Sequence, residues 1–204
     1  MPDMRSKKRQ AVFLDRDCVI TQEPPHYAHR RDQLALVPGV AEAIRLLNDN
    51  GFLVVVVTNQ AGIARGFYEE KDMHVFYGAM KEELNKEKGA HVDAIYWCSH
   101  HPEAVHEKHR CVCDCRKPNP GMILCASREL SIDCASSFLV GDKWSDIEAG
   151  SRAGCKTIMV RTGHGQQEFA VRENRSADYH VPDILEAART VIDQTHDIEC
   201  KGIN

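Results

Sequence analysis

Apolar residues in this chain gather into short continuous runs separated by longer stretches of helical spacing. AVFLD (residues 11–15) is apolar until it ends on an acid, as a buried strand presenting a polar side chain would be. A polar stretch rich in Pro, His and Arg (21–32) follows and reads as a loop. Pro38-Gly39 then opens a segment with Val40, Ile44, Leu46 and Leu47 at helical spacing, closed by Asn50-Gly51. FLVVVVTNQ (52–60) is a β-branched run without alternation, the pattern of a strand covered on both faces. Residues 69–88 read as a helix, 92–98 as a strand, 120–130 as a helix and FLVGD (138–142) as a strand ending on an acid. A helix over 145–153, a strand over 157–161 and a last helix opened by Pro182 complete the pattern.

Strands alternating with helices predict an α/β fold, a Rossmann-like parallel sheet with helices on both faces. Ligands bind at the carboxyl ends of such strands. Asp15, Thr58 and Asp142 all fall there, so residues far apart in sequence are expected to converge. No linker or internal repeat divides the 204 residues, which predicts one domain over 1–204.

Composition changes this picture little. A net charge of -4 argues against a dedicated nucleic-acid binder. No apolar run is long enough to span a membrane, and the basic N-terminus lacks the apolar region of a signal peptide. A cytoplasmic location is therefore expected, and nothing in the sequence demands more than a monomer. The nine cysteines are an odd number, unevenly spread, which argues against a disulfide framework.

Chemistry enters with Asp15-Arg16-Asp17 directly after the first strand. One carboxylate there can act as nucleophile while the other handles protons. Taken with Thr58, Lys117 in CRKPNPG, and Asp142 and Asp146 in GDKWSD, the parts suit phosphoryl transfer, which depends on positioning and charge neutralisation. Asp15 would attack phosphorus; Asp17 would protonate the leaving alkoxide and later deprotonate the resolving water. Thr58 and Lys117 would hold phosphoryl oxygens, Asp15, Asp17 and Asp142 would ligate Mg²⁺, and Asp146 would support them. Separately, Cys98-x-His100 and Cys113-x-Cys115 suit a closed structural zinc site in a loop over about 98–115. His101, His106, His109 and Cys111 lie in the same loop as alternative ligands.

The motifs DRD, VVVVTN, RKP and GDKWSD, in this order, resemble the haloacid dehalogenase (HAD) superfamily over nearly all of the chain up to Gly165. An acid at position 17 implies phosphate chemistry within that resemblance. TNQAGIARGFY (58–68), CSHHP, CDCRKPNPGM (113–122) and VRTGHG narrow it: the chain resembles the D-glycero-D-manno-heptose 1,7-bisphosphate phosphatases. The resemblance implies hydrolysis of the C7 phosphate of a sugar bisphosphate. Core elements and the zinc loop already occupy the intervals between Asp17 and Thr58 and between Thr58 and Lys117, so a site with minimal or no cap is expected. The resemblance also implies substrate contacts at Asn59, Gln60, Arg65 and Arg116, the two arginines gripping the second phosphate. EPP (23–25) resembles the histidinol-phosphate phosphatases instead, which makes that activity the alternative. A nucleic-acid 3′-phosphatase and a non-catalytic zinc-stabilised binding module are more distant readings. Cys18 departs from the family pattern, in which glycine usually follows DRD.

Overall fold

The computed structural model describes residues 8–22, 27–171 and 176–201. Six strands form one wholly parallel sheet in the order β3-β2-β1-β4-β5-β6. They are β1 (Ala11–Leu14), β2 (Leu53–Asn59), β3 (Ala94–Cys98), β4 (Phe138–Gly141), β5 (Lys156–Val160) and β6 (Tyr179–Val181). The helices are α1 (Val40–Asp49), α2 (Ala61–Ala64), α3 (Glu70–Lys88), α4 (Gly121–Leu130), α5 (Trp144–Ala153), α6 (Gly165–Ala170) and α7 (Ile184–Lys201).

The two-residue period of a strand sends alternate side chains to opposite faces. Val12, Leu14, Val54 and Val56 accordingly pack with Ile44 and Leu47 of α1, Met80 and Leu84 of α3, and Ala187 and Val191 of α7. Ala11, Phe13, Leu53, Val55 and Val57 pack on the other side with Met122, Ile123 and Ala126 of α4 and Ala149 of α5. Both faces of β1 and β2 are thus buried, which is why these strands read as unbroken apolar runs.

β1 pairs with β2 on one side and with β4 on the other. The strand order reverses direction between β1 and β4, and this switch point opens a crevice at the carboxyl ends of the two strands. Asp15 and Asp142 leave the sheet there. Every described strand belongs to this one sheet, and no second sheet covers the crevice. No described helix is long and apolar enough to cross a membrane.

Candidate active site and metal-binding cluster

Asp15 continues β1 by one residue: its N–H donates to Val140 O at 3.1 Å, so the end of the ladder fixes its backbone. Asp142 follows β4, and Asp146 sits in the first turn of α5, where its Oδ2 accepts the Lys143 N–H at 3.0 Å. A Cβ at Gly141 would stand 2.3 Å from Asp146 Cβ, so the close approach of these two turns requires glycine. Lys117, from the loop before α4, brings an ammonium between them. Its Nζ donates to Asp15 Oδ1 at 2.8 Å, Asp146 Oδ1 at 2.7 Å and Val57 O at 2.8 Å. An ammonium has three protons, and all three are engaged by protein. A phosphoryl oxygen reaches Lys117 by displacing one of these partners. Burial opposes the Lys117 charge, but Asp146 and Asp15 outweigh it and hold the ammonium above the ordinary lysine range.

Asp15, Asp142 and Asp146 each bring a carboxylate oxygen within 4.8 Å of the others, and all three residues are buried. The Lys117 ammonium bonds to Asp15 and Asp146, and Asp142 is the buried carboxylate of the three to which it makes no bond. Burial pushes the Asp142 carboxyl up from its usual range, and the Asp15 charge adds to this. Asp142 Oδ1 is buried without a hydrogen-bond partner. An all-oxygen donor set of three buried acids and an unsatisfied buried oxygen fit a hard divalent cation. Asp17, expected as a ligand of that cation, stands apart: its Oδ1 accepts Arg16 Nε at 2.9 Å and Nη2 at 2.6 Å. The third carboxylate of the group is Asp146.

Arg16 is a functional residue that the sequence reading left without a role. It is 1% exposed, and its guanidinium lies over the rings of Phe76 and Tyr77, 5.1 and 5.8 Å from their centroids. It fixes Asp17 from behind while Asp15 faces the crevice. Its place between two acids at a strand end was the available signal, since the chain must send that side chain inward.

Asn59 and Gln60 also differ from expectation. Asn59 Nδ2 donates to Lys117 O at 3.0 Å and its Oδ1 accepts the Lys117 N–H at 3.0 Å, so it clamps the lysine backbone. Gln60 is 1% exposed and forms a relay: Tyr68 OH donates to Gln60 Oε1 at 2.6 Å, and Gln60 Nε2 donates to Thr58 Oγ1 at 2.8 Å. These are positioning contacts within the protein rather than groups turned to solvent.

The four residues of the second constellation come together. Ligand atoms of Cys98, His100, Cys113 and Cys115 all lie within 4.8 Å of one another. Cys115 Sγ is 2.9 Å from Cys98 Sγ, 3.1 Å from Cys113 Sγ and 3.5 Å from His100 Nδ1. Burial pushes the Cys98 thiol up; at Cys113 it acts the same way, but bonds with Cys115 and His100 outweigh it and bring that thiol down to about 7. Three sulfurs and one imidazole suit a tetrahedral soft-metal site. His101, His106, His109 and Cys111 lie outside the set.

Arg65 follows α2, and Arg116 precedes Lys117 in the loop before α4. Arg65 Nη1 donates to Tyr27 OH at 2.6 Å and Arg116 Nη1 to His100 O at 3.2 Å. Burial lowers the His101 pKa, and the positive charges of Arg116 and Arg65 both add to that lowering. A separate cavity of about 580 Å³ lies between the α2–α3 turn and the cysteine loop, lined by Phe67, Lys71 and His106 among others. None of the motif acids lines it. Glu23–Pro25 lies outside the described residues.

Comparison with known proteins identifies the family. A family model described as HAD-hydrolase-like matches residues 114–187. A D-glycero-beta-D-manno-heptose-1,7-bisphosphate 7-phosphatase of Photorhabdus laumondii is 46% identical over 154 residues, 75% of this chain and 81% of that protein. A D-glycero-alpha-D-manno-heptose-1,7-bisphosphate 7-phosphatase of the same organism is 41% identical over 166 residues, 81% of this chain and 90% of that protein. The crystal structure of D,D-heptose 1,7-bisphosphate phosphatase from B. bronchiseptica, complexed with magnesium and phosphate, superposes with a TM-score of 0.80 at 31% identity. That match covers 91% of this chain and 99% of the other. The protein is a HAD-like phosphoric monoester hydrolase. It belongs to the D-glycero-D-manno-heptose-1,7-bisphosphate 7-phosphatase family.

Proposed function

We propose that this chain hydrolyses the C7 phosphate of a D-glycero-D-manno-heptose 1,7-bisphosphate through an aspartyl-phosphate on Asp15, giving the heptose 1-phosphate. The observation that carries the reading is the Asp15–Lys117–Asp146 bridge beside Asp142 at the switch point of the sheet.

Lys117 Nζ and the Arg16 N–H, each at 2.8 Å, both bond to Oδ1 of the Asp15 carboxylate. Oδ2 then attacks phosphorus, forming the acyl phosphate as the bond from phosphorus to the C7 oxygen breaks. Asp17, held by Arg16, gives its proton to that oxygen. Asp17 next takes a proton from water, whose oxygen attacks phosphorus and breaks the bond to Asp15, returning the free carboxylate and releasing phosphate. Thr58 already accepts a bond from Gln60, which leaves its own hydroxyl proton to donate to a phosphoryl oxygen. Asp15, Asp142 and Asp146 would hold Mg²⁺, whose charge lets carboxylate and phosphate approach each other. Arg65 and Arg116 would bind the C1 phosphate. Cys98, His100, Cys113 and Cys115 would hold a structural Zn²⁺ that fixes the loop leading through Arg116 to Lys117.

Rates of phosphate release with Mg²⁺ from heptose 1,7-bisphosphate and from histidinol phosphate, measured side by side, test the substrate. The bisphosphate should be preferred by at least about 100-fold in kcat/KM, the discrimination expected when a second charged group of the substrate is bound. Preference for histidinol phosphate would keep the mechanism and remove the heptose assignment.

A further inference from the structure

The Asp17–Thr21 turn and the N-terminus of α6 meet over Asp142 in a way the phosphatase reaction does not call for. Cys18 holds φ at +65°, the left-handed region in which a glycine would be unstrained. Its N–H donates to Thr21 O at 2.7 Å, and its own carbonyl accepts from Thr162 Oγ1 at 3.0 Å, so the turn is tied to the strand-end loop opposite. Gly163 makes room for it: a Cβ there would stand 2.1 Å from Cys18 Cβ. The next residue, His164, sets its Nδ1 3.8 Å from Cys18 Sγ and 3.2 Å from Asp142 Oδ2. Cys18, Asp142 and His164 thereby form a second group whose ligand atoms all lie within 4.8 Å of one another. Asp142 belongs to this group and to the all-carboxylate group at once.

We propose that Cys18, Asp142 and His164 form a binding site for a thiophilic divalent cation of the zinc class, and that its occupation inhibits the phosphatase. The donor chemistry separates the two groups. Sulfur, imidazole nitrogen and one carboxylate oxygen suit zinc and are poor partners for magnesium, whereas three carboxylates suit magnesium. When the Cys18 thiol gives its proton to solvent, thiolate and carboxylate together balance a divalent charge, and neutral imidazole completes three protein ligands with a fourth position open. The site also has an entrance, since the His164 side chain is 43% exposed while Asp142 is fully buried behind it. Asp142 couples the site to turnover: Oδ2 faces His164, while the unpartnered Oδ1 is the atom available to the cation of the carboxylate group. A soft cation drawing Asp142 toward Cys18 and His164 withdraws it from that group. This effect on turnover rests on the proposed magnesium site; the binding itself does not.

Cobalt(II) is a zinc-like probe whose thiolate complexes absorb in the near ultraviolet. Equilibrium dialysis against cobalt, starting from protein with its Cys98–Cys115 cluster already filled with zinc, should show one more bound equivalent in the native chain than in Cys18→Gly or Cys18→Ser. That equivalent should carry a thiolate-to-cobalt absorption that both variants lack. Zinc should inhibit native phosphate release, and the variants should need at least about 10-fold more zinc for the same inhibition. Equal binding in all three proteins, or an extra equivalent that survives removal of Cys18, would overturn the site. An extra equivalent without any shift in zinc inhibition would overturn the coupling through Asp142. Thermal melting of both variants checks that they are folded. Should the native chain release no phosphate, the dialysis still decides the site, and that failure belongs to the catalytic reading.

Discussion

Replacing Asp15 by asparagine should lower phosphate release by at least about four powers of ten, a loss near 5.5 kcal/mol of transition-state stabilisation. The amide keeps the shape of the carboxylate but is a far weaker nucleophile, and no other described carboxylate can take its place. Asp142 and Asp146 bring carboxylate oxygens within 4.8 Å of the Asp15 carboxylate, and Asp17 is held by Arg16. Asp146 is locked to Lys117 and to the Lys143 N–H, and Asp142 faces His164. Lys117 would retain Asp146 and Val57 O as partners, so the variant should fold. Zinc content and melting temperature measured beside the activity separate lost chemistry from lost structure. An Asp15→Asn protein that keeps full activity would remove the nucleophile assignment.

Replacing Cys113 by serine should act in the opposite order, on metal and stability first and on turnover second. Serine is a hard, weakly acidic oxygen ligand and replaces one of three sulfurs in the cluster. The residual donors bind zinc more weakly, and the loop from Cys98 to Cys115 loses its cross-link. Loss of a structural metal is among the few single-site mechanisms that exceed about 3 kcal/mol, which corresponds to a fall of about 6–12 °C in Tm for a chain of this size. Atomic absorption should show zinc below one equivalent in the variant, and differential scanning calorimetry the lower transition. Activity should fall as well, because Cys115 lies two residues before Lys117 and Asn119 Nδ2 donates to Cys113 O at 2.9 Å. Native protein treated with a strong chelator and then given excess Mg²⁺ should behave like the variant. Unchanged zinc content and stability in Cys113→Ser would mean that the cluster is only a group of reduced cysteines.

Much of the frame was legible because burial on both faces leaves a plain mark: 52–60 and 138–142 are apolar runs, and each appears as a strand of the sheet. Start and stop signals were equally direct, with Gly39 preceding α1 and Asn50 closing it. β6 was not legible. Its three residues, Tyr179–Val181, are half-buried at the sheet edge and include a histidine, so neither alternation nor an apolar run announces them. α2 and α6, of four and six residues, are too short for helical periodicity to register.

The candidate site divides along the same line. Motif spacing brought out Asp15, Lys117, Asp142 and Asp146 because strand ends and one helix start fix their positions, and the structure gathers those four. Spacing does not say which way a side chain turns once the chain leaves a strand. Asn59 and Gln60 follow Thr58 and so fall near the crevice, yet one clamps the Lys117 backbone and the other orients Thr58. Asp17 falls two residues after Asp15 but turns to Arg16. Cys18 shows the limit from the other side: as a departure from a glycine pattern it was visible, but only the fold shows that it meets His164 and Asp142.

The most direct test of the account is to catch the phosphoryl group on the protein. Quenching the enzyme during turnover of heptose 1,7-bisphosphate with borohydride reduces an aspartyl-phosphate to homoserine, which peptide mass mapping locates. Homoserine at position 15, absent without substrate, is the predicted result. Reduction at another carboxylate, or none while phosphate is being released, would contradict covalent catalysis at Asp15.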